Sequence, residues 1–371
     1  MSTARIGLCL EPLDVLFFRD GRPFAAATRA TSGQPVPQTL AGAVWTALLT
    51  KFGCDFERLA EEVRRRPIRE AVLAAGTPEW LVEVSVRGPW LARSSVTDGD
   101  GPDVLVPAPA MLHETKKKDA ATAQGELHSL WPLETGMTLP GWRPPAPGLR
   151  PLWVRTTEAT EIVYGYLDRA GQAAMLEGRV PPREHIVRAD ELFAYDHRTG
   201  IGVEPDRLTA EEGQIYAASF LALKPGACLY AEIVFPPGHA DAATGLSTLH
   251  FGGEGRRVAV RPVAPFAWPD QKPAGNRKPF VWLTTPAHFQ DGWRPRCLRN
   301  HLVAAAVPGD VAVSGWDLAR GGPKPTRFGV AAGSVYFLDS MPSNLPDSLA
   351  DSDEDRRQGW GCYLQGVWTD D

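Results

Sequence analysis

One stretch of the chain places three glycines directly before two arginines: Phe251-Gly252-Gly253-Glu254-Gly255-Arg256-Arg257. Glycine has no Cβ atom, so this stretch can adopt positive φ angles and lie close to a ligand. The two arginines can each bind a phosphate through parallel hydrogen bonds. The pattern favours a loop that lies along a phosphodiester backbone, with Gly252, Gly253, Gly255, Arg256 and Arg257 as RNA-binding candidates. A tight turn between two β-strands is the alternative, and it stays open at this point.

The spacing of the glycines argues against a mononucleotide site. A phosphate-binding P-loop requires GxxxxGK[ST] before a helix, and no Lys-Ser or Lys-Thr follows here. The GxGxxG spacing of dinucleotide-binding folds is also absent from the stretch. We therefore expect a polynucleotide as the ligand and no bound cofactor.

Length and composition predict an intracellular protein of about two domains. The chain has 371 residues, 43% of them hydrophobic, and no run of about 18 apolar residues that would span a membrane. The N-terminal residues enter a strand-like pattern at once, so we expect no signal peptide. The five cysteines are scattered singly, which favours a reducing cytoplasm over a disulfide framework or a zinc site.

The net charge of −5 hides an uneven distribution of charge. Seven acidic residues and two arginines lie from Asp347 to the C-terminus, and the rest of the chain is formally neutral. Residues 250–330 carry twelve Lys or Arg against five Asp or Glu. A basic zone thus coincides with the glycine stretch, which strengthens the case for RNA.

The periodicity of apolar residues predicts an α+β architecture of short strands and two main helical segments. One helix should run from Thr39 to Gly53, and a second from Asp55 to Ala75, where Pro67 can break it. Residues 195–202 read as a hairpin-like turn, and we place a domain boundary between residues 204 and 205. The predicted strands are 5–17, 81–90, 162–167, 215–223, 229–235, 257–263, 281–285, 311–314 and 335–338.

Two further sequence patterns combine cations with aromatics or glycines. Phe17 and Phe18 directly precede Arg19, and Arg22 follows three residues after Arg19, a pairing suited to single-stranded RNA. The alternative is that both phenylalanines belong to the core and that Asp20 forms only a surface salt bridge with an arginine. One of the two phenylalanines must be buried in an alternating strand, so the arginines are the better candidates. Lys324 and Arg327 follow Gly321-Gly322-Pro323 and are expected to extend the same groove.

No catalytic constellation is evident in the sequence. The eight histidines show no metal-ligand spacing, and no GxSxG or cysteine-centred motif is present. His197 could serve as the general base of a metal-independent ribonuclease. The alternative is that His197 and Arg198 contact RNA, or a neighbouring subunit, without chemistry. We predict no metal site and no catalytic residue.

Several stretches, in this order, resemble one family of CRISPR-associated proteins. They are Pro12–Phe24, Phe251–Arg257, Ser314-Gly315-Trp316 with Lys324-Pro325, Ala332–Phe337 and Gly359-Trp360-Gly361. The chain resembles the RAMP protein of the type III-B Cmr effector complex that holds the 5′ tag of the crRNA. The match reaches both ends of the chain, so it is global.

The resemblance implies an α+β fold of two ferredoxin-like (RRM-like) domains of the RAMP superfamily with long loop insertions, here residues 1–204 and 205–371. It implies a non-catalytic subunit that binds the crRNA 5′ tag, the large polymerase-like Cmr subunit and an adjacent backbone RAMP subunit, and meets target RNA only indirectly. In this family, RNA is expected on loops and on the glycine-rich turn. Two alternatives remain: a RAMP-type endoribonuclease that processes precursor crRNA, and a scaffold that binds only proteins.

Overall fold

The computed structural model describes residues 3–18, 29–94, 101–116, 125–203, 206, 210–269, 276–317 and 321–370. These residues form a mixed α/β structure that is rich in sheet and has few helices, in agreement with the α+β prediction. Four short 3₁₀ segments add to the helices in this described part of the chain. The α-helices of the described residues are α1 (Pro37–Lys51), α2 (Phe56–Glu62), α3 (Ile68–Ala74), α4 (Arg169–Leu176), α5 (Ala189–Leu192) and α6 (Asp353–Gln358).

The strands of the described residues are numbered in chain order. They are β1 (Ala4–Pro12), β2 (Arg29–Thr31), β3 (Ser85–Arg93), β4 (Asp103–Pro107), β5 (Leu112–Thr115), β6 (Leu127–Ser129), β7 (Trp131–Pro132), β8 (Leu152–Trp153), β9 (Thr160–Ile162), β10 (Tyr166–Leu167), β11 (Ile186–Val187), β12 (Phe193–Val203), β13 (Ala210–Leu223), β14 (Ala227–Phe235), β15 (Thr248–His250), β16 (Arg257–Val263), β17 (Lys278–Leu283), β18 (Leu302–Ala306), β19 (Asp310–Asp317), β20 (Gly322–Val330), β21 (Val335–Leu338) and β22 (Tyr363–Trp368).

The helical predictions hold in the N-terminal part. α1 begins two residues before the predicted N-cap, Thr39, because Pro37 at its first turn needs no hydrogen-bond acceptor for its nitrogen. Asp55 caps α2 by accepting a hydrogen bond from the backbone N–H of Arg58 at 3.0 Å. Pro67 separates α2 from α3, so the predicted break is confirmed.

An eight-stranded antiparallel sheet has the order β11-β10-β4-β3-β14-β1-β16-β15 among the described residues. α1 packs on one face of this sheet, where Leu40, Val44 and Leu48 join Leu8 and Leu10 of β1 in one apolar core. These helical residues recur every four positions, which places them on a single face of α1. Alternation along β1 therefore directs its leucines to the helix side.

The opposite face of this sheet carries aromatic side chains that are covered by the chain itself. Trp90 of β3 and Tyr230 of β14 are buried, and Phe266 and Trp268 pack over them. The indole N–H of Trp268 donates a hydrogen bond of 2.8 Å to a carboxylate oxygen of Glu232, which is fully buried. This face is consequently occupied by residues 264–268.

A second antiparallel sheet has the order β18-β21-β17-β22. Four neighbouring strands of the first sheet, β3-β14-β1-β16, have the same arrangement. In each set of four, the strand that comes second in the chain lies at one edge, followed across the sheet by the third, the first and the fourth. In the chain, the long segment that contains β4 to β13 lies between β3 and β14. The boundary expected between residues 204 and 205 falls between β12 and β13, and β14 and β16 pair with β1 across it.

The predicted hairpin-like turn at residues 195–202 is wrong. This segment lies inside β12, which pairs with β13 from Phe193 opposite Leu223 to Ile201 opposite Ile215. Thr199-Gly200 suggested a turn, but a long ladder of cross-strand hydrogen bonds holds these residues extended. The predicted strands 257–263 and 335–338 are confirmed as β16 and β21.

Candidate nucleic-acid interface

The glycine stretch forms the turn that joins β15 to β16. The Phe251 N–H donates to the carbonyl oxygen of Arg256 at 2.8 Å, and the Arg256 N–H donates to Gly253 at 3.2 Å. The alternative prediction is therefore confirmed with respect to conformation: the stretch is a tight turn between two β-strands. Residues 252–255 are exposed, so the outer side of the turn is open to a ligand.

Gly252 provides the close approach of this turn to the rest of the chain. Its φ is +97°, and a Cβ atom at this position would lie 2.6 Å from the carbonyl oxygen of Phe17. The next residue, Gly253, donates its N–H to that same oxygen at 2.8 Å. The turn is thereby fixed against the end of the segment that contains Phe17 and Phe18.

Replacing Gly252 with alanine should destabilise the protein by about 3 kcal/mol, because the strained backbone and the clash with Phe17 add together. Gly255 offers a matched control, since its φ is +65° but a Cβ there would meet nothing within 4 Å. The Gly255→Ala variant should cost about 1 kcal/mol. Urea unfolding of both variants tests the difference, and equal losses would show that the contact with Phe17 is unimportant.

Two arginines converge on one aromatic ring beside the turn. The guanidinium carbon of Arg256 lies 4.8 Å from the ring centroid of Phe220, and that of Arg198 lies 5.1 Å from it. The ring of Phe17 approaches Phe220 at 5.1 Å between centroids. We call Arg198, Phe220 and Arg256 the arginine–phenylalanine cluster.

The register of β12 against β13 explains why Arg198 reaches the ring of Phe220. Asp196 lies opposite Phe220 and Arg198 opposite Ala218, so these side chains share one face of the hairpin. His197 lies on the other face, where its Nδ1 is 2.6 Å from the hydroxyl oxygen of Ser219. The two neighbours that the sequence grouped together, His197 and Arg198, therefore point to opposite sides.

Carboxylates balance the charge of the arginine–phenylalanine cluster. Asp14 Oδ2 lies 2.5 Å from Arg256 Nη1, and Asp14 Oδ1 lies 3.8 Å from Arg198 Nη2. Asp196 accepts a hydrogen bond of 2.8 Å from Arg198 Nε. The backbone N–H of Val15, together with the two guanidinium groups, holds the pKa of Asp14 below its usual value. Both arginines are thus oriented while Arg198 stays 44% exposed.

Phe17 and Phe18 both belong to the interior, so the structural alternative for them is confirmed. Phe17 is 4% exposed and Phe18 is 7% exposed, and Phe18 packs edge-on against Phe251 with 5.3 Å between centroids. Neither ring is available to stack on a base. Their burial anchors the point where the chain leaves towards residues 19–28.

Arg19 and Arg22 lie outside the described residues. The described residues on both sides of that gap lie beside the cluster: Phe18 packs against the glycine turn, and β2 pairs in parallel with Ala217–Ser219 of β13. Arg257 is exposed on β16, where Nη2 donates to the Thr248 hydroxyl at 2.8 Å. Arg257 therefore lies at the base of the turn.

An open groove of about 650 Å³ adjoins the cluster at Asp14. One wall comes from the end of β1 and the residues that follow, and the other from the connection between β13 and β14. Lys224 adds a cation to this connection, and Glu11 adds a carboxylate on the facing wall. The groove continues from the exposed side of Asp14.

Lys324 and Arg327 lie on β20 of the β19–β20 hairpin, outside the glycine loop that precedes them. Arg327 forms a bidentate ion pair with Asp355 of α6 at 2.8 and 2.7 Å. Asp355 is buried, which opposes its ionisation, but hydrogen bonds from Arg327 and Ser352 hold its pKa below the usual value. Arg327 therefore links the hairpin to α6, and Lys324 is half-buried. Their extension of the groove stays a prediction.

Sequence reasoning missed Phe220 and Asp14 as parts of the site. Phe220 lay in a predicted strand, and Asp14 lay in a predicted strand that in the structure ends at Pro12. The alternation Ala218-Phe220-Ala222 is the signal that could have assigned Phe220 to the face of Arg198. Using it would have required the correct position of the β12–β13 turn.

The described residues offer neither a metal centre nor a helical membrane span. No group of three or more His, Cys, Asp or Glu side chains there could hold a metal ion. No helix in that part of the chain is both long and apolar enough to cross a bilayer. The paired guanidinium groups beside the glycine turn remain the main candidate for ligand binding.

Two guanidinium groups beside an exposed turn, on a sheet-rich α/β scaffold, form a site that can hold phosphate groups. The sequence model of the CRISPR-associated protein family Cas_Cmr3 matches residues 8–368, so the chain belongs to this family. The resemblance to the type III-B Cmr family is thereby confirmed. The family match includes the glycine turn and the arginine–phenylalanine cluster.

Solved structures with similar chains come from type III CRISPR complexes. A chain of the type III-B Cmr-beta complex bound to cognate target RNA and AMPPnP is 15% identical, with a TM-score of 0.49 over 89% of this chain and 86% of that chain. A chain of the Csm3–Csm4 subcomplex of a type III-A interference complex is 10% identical, with a TM-score of 0.39 over 92% of this chain and 100% of that chain. No curated protein sequence matches the chain.

Proposed function

We propose that this protein is a non-catalytic RNA-binding subunit of a type III-B CRISPR effector complex, and that it holds the 5′ tag of the crRNA. The convergence of Arg198 and Arg256 on Phe220, beside the exposed glycine turn, carries the proposal. Membership of the Cas_Cmr3 family supports it. The large polymerase-like subunit and an adjacent backbone RAMP subunit are its protein partners, and target RNA is met only through the assembled complex.

In this proposal the guanidinium groups bind tag phosphates, and the exposed backbone of the glycine turn lies along the RNA tag. Phe220 is 8% exposed, so its ring holds the two arginines in place and does not stack on a base. Arg19 and Arg22, which lie outside the described residues, stay proposed contacts of the tag on the basis of the sequence alone. Arg257 extends the phosphate contacts at the base of β16.

We also propose that the two sheets with the same strand order are the cores of two ferredoxin-like domains. β1, β3, β14 and β16 form the first core, and β17, β18, β21 and β22 form the second. Strand pairing across residues 204/205 supports a division between Val263 and Lys278 in place of the expected one. β4 to β13 are then an insertion in the first domain, and they supply Arg198 and Phe220.

The competing function is a metal-independent endoribonuclease with His197 as general base. His197 and Arg198 lie on opposite faces of the β12–β13 hairpin. A catalytic His197 would therefore act on the face opposite the one we assign to phosphate binding. The two functions differ in what they predict for bound RNA: the RNA-holding subunit leaves it intact, and the endoribonuclease cleaves it.

Incubation of the full chain in EDTA with precursor crRNA and with mature tagged crRNA tests the proposal. We expect a mobility shift with both RNAs intact, and the same result for the His197→Ala variant. Site-specific cleavage that disappears in His197→Ala would establish the nuclease instead. An intact precursor with a shift that depends on the tag would support the RNA-holding subunit.

A further inference from the structure

Asp14 places its carboxylate between the guanidinium groups of Arg198 and Arg256. We propose that its carboxylate is a stand-in for an RNA phosphate: it bridges Arg198 and Arg256 in the free protein and is displaced when RNA binds. The inference rests on the proposed function and adds that the Asp14 carboxylate competes with an RNA phosphate for the two arginines. It assigns Asp14 the role of weakening and gating the phosphate site.

The geometry around Asp14 supports this exchange. Its two carboxylate oxygens are directed to different guanidinium groups, one at 2.5 Å from Arg256 and the other at 3.8 Å from Arg198. A phosphate also presents several oxygens to neighbouring guanidinium groups, so it can make the same two contacts. The Nε atom of Arg256 is buried and has no hydrogen-bond partner within the described part of the chain. Because this atom is buried, an exchange with phosphate would take place at the terminal Nη groups, where Arg256 contacts Asp14.

Asp14 can leave without loss of the site. Its side chain is 56% exposed, so rotation would place the carboxylate in water, at the edge of the open groove. Exposed ion pairs of this kind are weak and easily exchanged. The two guanidinium groups would stay in place, because Phe220 lies within about 5 Å of both and Asp196 still binds Arg198. The arrangement therefore orients the arginines before RNA arrives.

The Asp14→Asn variant tests this role in the full chain. Asparagine keeps the size of the side chain and an acceptor for the Val15 N–H, but it removes the charge that competes with phosphate. We expect binding of labelled tagged crRNA to tighten by about threefold to fivefold, the range that an exposed ion pair permits. Fluorescence anisotropy at fixed salt measures the change, with thermal unfolding to verify that the variant is folded.

Glu11→Gln is the matched control for charge. Glu11 lines the same groove and is 53% exposed, but it pairs with Arg261 at 3.9 Å and contacts neither arginine of the cluster. A gain in Asp14→Asn that exceeds the gain in Glu11→Gln, and that disappears when Arg198 and Arg256 are alanine, would establish the exchange. Equal gains in the two variants, or unchanged binding in Asp14→Asn, would overturn it.

The same set of variants separates this inference from the proposed function. If the Arg198→Ala/Arg256→Ala variant binds tagged crRNA as the wild type does, the cluster is not the RNA site and both conclusions fail. If that variant loses binding while Asp14→Asn has no effect, the proposed site stands and only the gating role of Asp14 is refuted.

Discussion

Replacing Arg198 and Arg256 together with alanine is expected to weaken the binding of tagged crRNA by about 100-fold. Each guanidinium packs on the ring of Phe220, and the side chains of Arg198 and Arg256 are 44% and 20% exposed. A hydrogen bond to a charged group contributes about 1.5–3 kcal/mol, which corresponds to roughly tenfold or more for each arginine. Fluorescence anisotropy titrations of the full chain with labelled crRNA measure the loss.

Arg64 and Arg65 provide the control for this experiment. They lie between α2 and α3, they are exposed, and they belong to neither the glycine turn nor the arginine–phenylalanine cluster. The Arg64→Ala/Arg65→Ala variant has the same change of net charge, and its affinity should fall by no more than a few-fold. A loss equal to that of the cluster variant would mean that RNA responds to overall charge, which contradicts a defined site.

Replacing Glu232 with alanine should lower the free energy of unfolding by about 3–5 kcal/mol, as expected when one partner of a buried ion pair is removed. Glu232 is fully buried on β14, at 3.3 Å from Arg87 Nε and 3.5 Å from Arg5 Nε. It also accepts hydrogen bonds from the Tyr230 hydroxyl and the Trp268 indole. Its loss would leave Arg87 buried without a counter-ion and release residues 264–268 from the sheet.

Urea unfolding followed by tryptophan fluorescence measures this change. Glu11→Ala is the control, because Glu11 is an exposed carboxylate on the neighbouring strand β1 and should change stability by less than about 1 kcal/mol. A small loss for Glu232→Ala would show that water replaces the carboxylate easily. The covering of the sheet face by Trp268 would then require another explanation.

The part of the site that depends on local sequence could be predicted. Gly252 and Arg256 lie in one short stretch, and the glycines by themselves mark the position of the turn. β16 follows directly from that turn as a short apolar run, so its bounds were predicted correctly. α1 was predicted because Leu40, Val44, Leu48 and Phe52 recur at helical spacing and Gly53 follows its end.

The rest of the site depends on contacts between distant segments. Arg198 and Arg256 are 58 positions apart. The register of β12 against β13 places Arg198 on the face of Phe220. The hydrogen bond from Gly253 to Phe17, and the packing of Phe17 on Phe220, bring Arg256 to the same ring. Thr199-Gly200 is compatible with a turn by local preference, and cross-strand pairing overrides that preference. The pairing of Arg327 with Asp355 is likewise tertiary, so the sequence could not show that this cation is engaged within the protein.

The strand order of the first sheet could not be predicted from the sequence for the same reason. β3 and β14 are adjacent in space but are separated in the chain by the segment that contains β4 to β13. Periodicity identifies the strands one by one and carries no information on which of them pair. A boundary near the middle of the chain was therefore expected, whereas strand pairing connects both sides of it.

The salt dependence of crRNA binding tests the central claim most directly. Affinity should be measured from about 50 to 200 mM salt for the wild type and the Arg198→Ala/Arg256→Ala variant, using tagged RNA and the same RNA without its 5′ tag. Because each single-strand phosphate contact contributes about 0.7 to the slope, the variant should lose about 1.4 units of slope with tagged RNA. The RNA without the tag should show little difference between the two proteins. An unchanged slope in the variant, with tagged RNA, would contradict the claim that Arg198 and Arg256 bind tag phosphates.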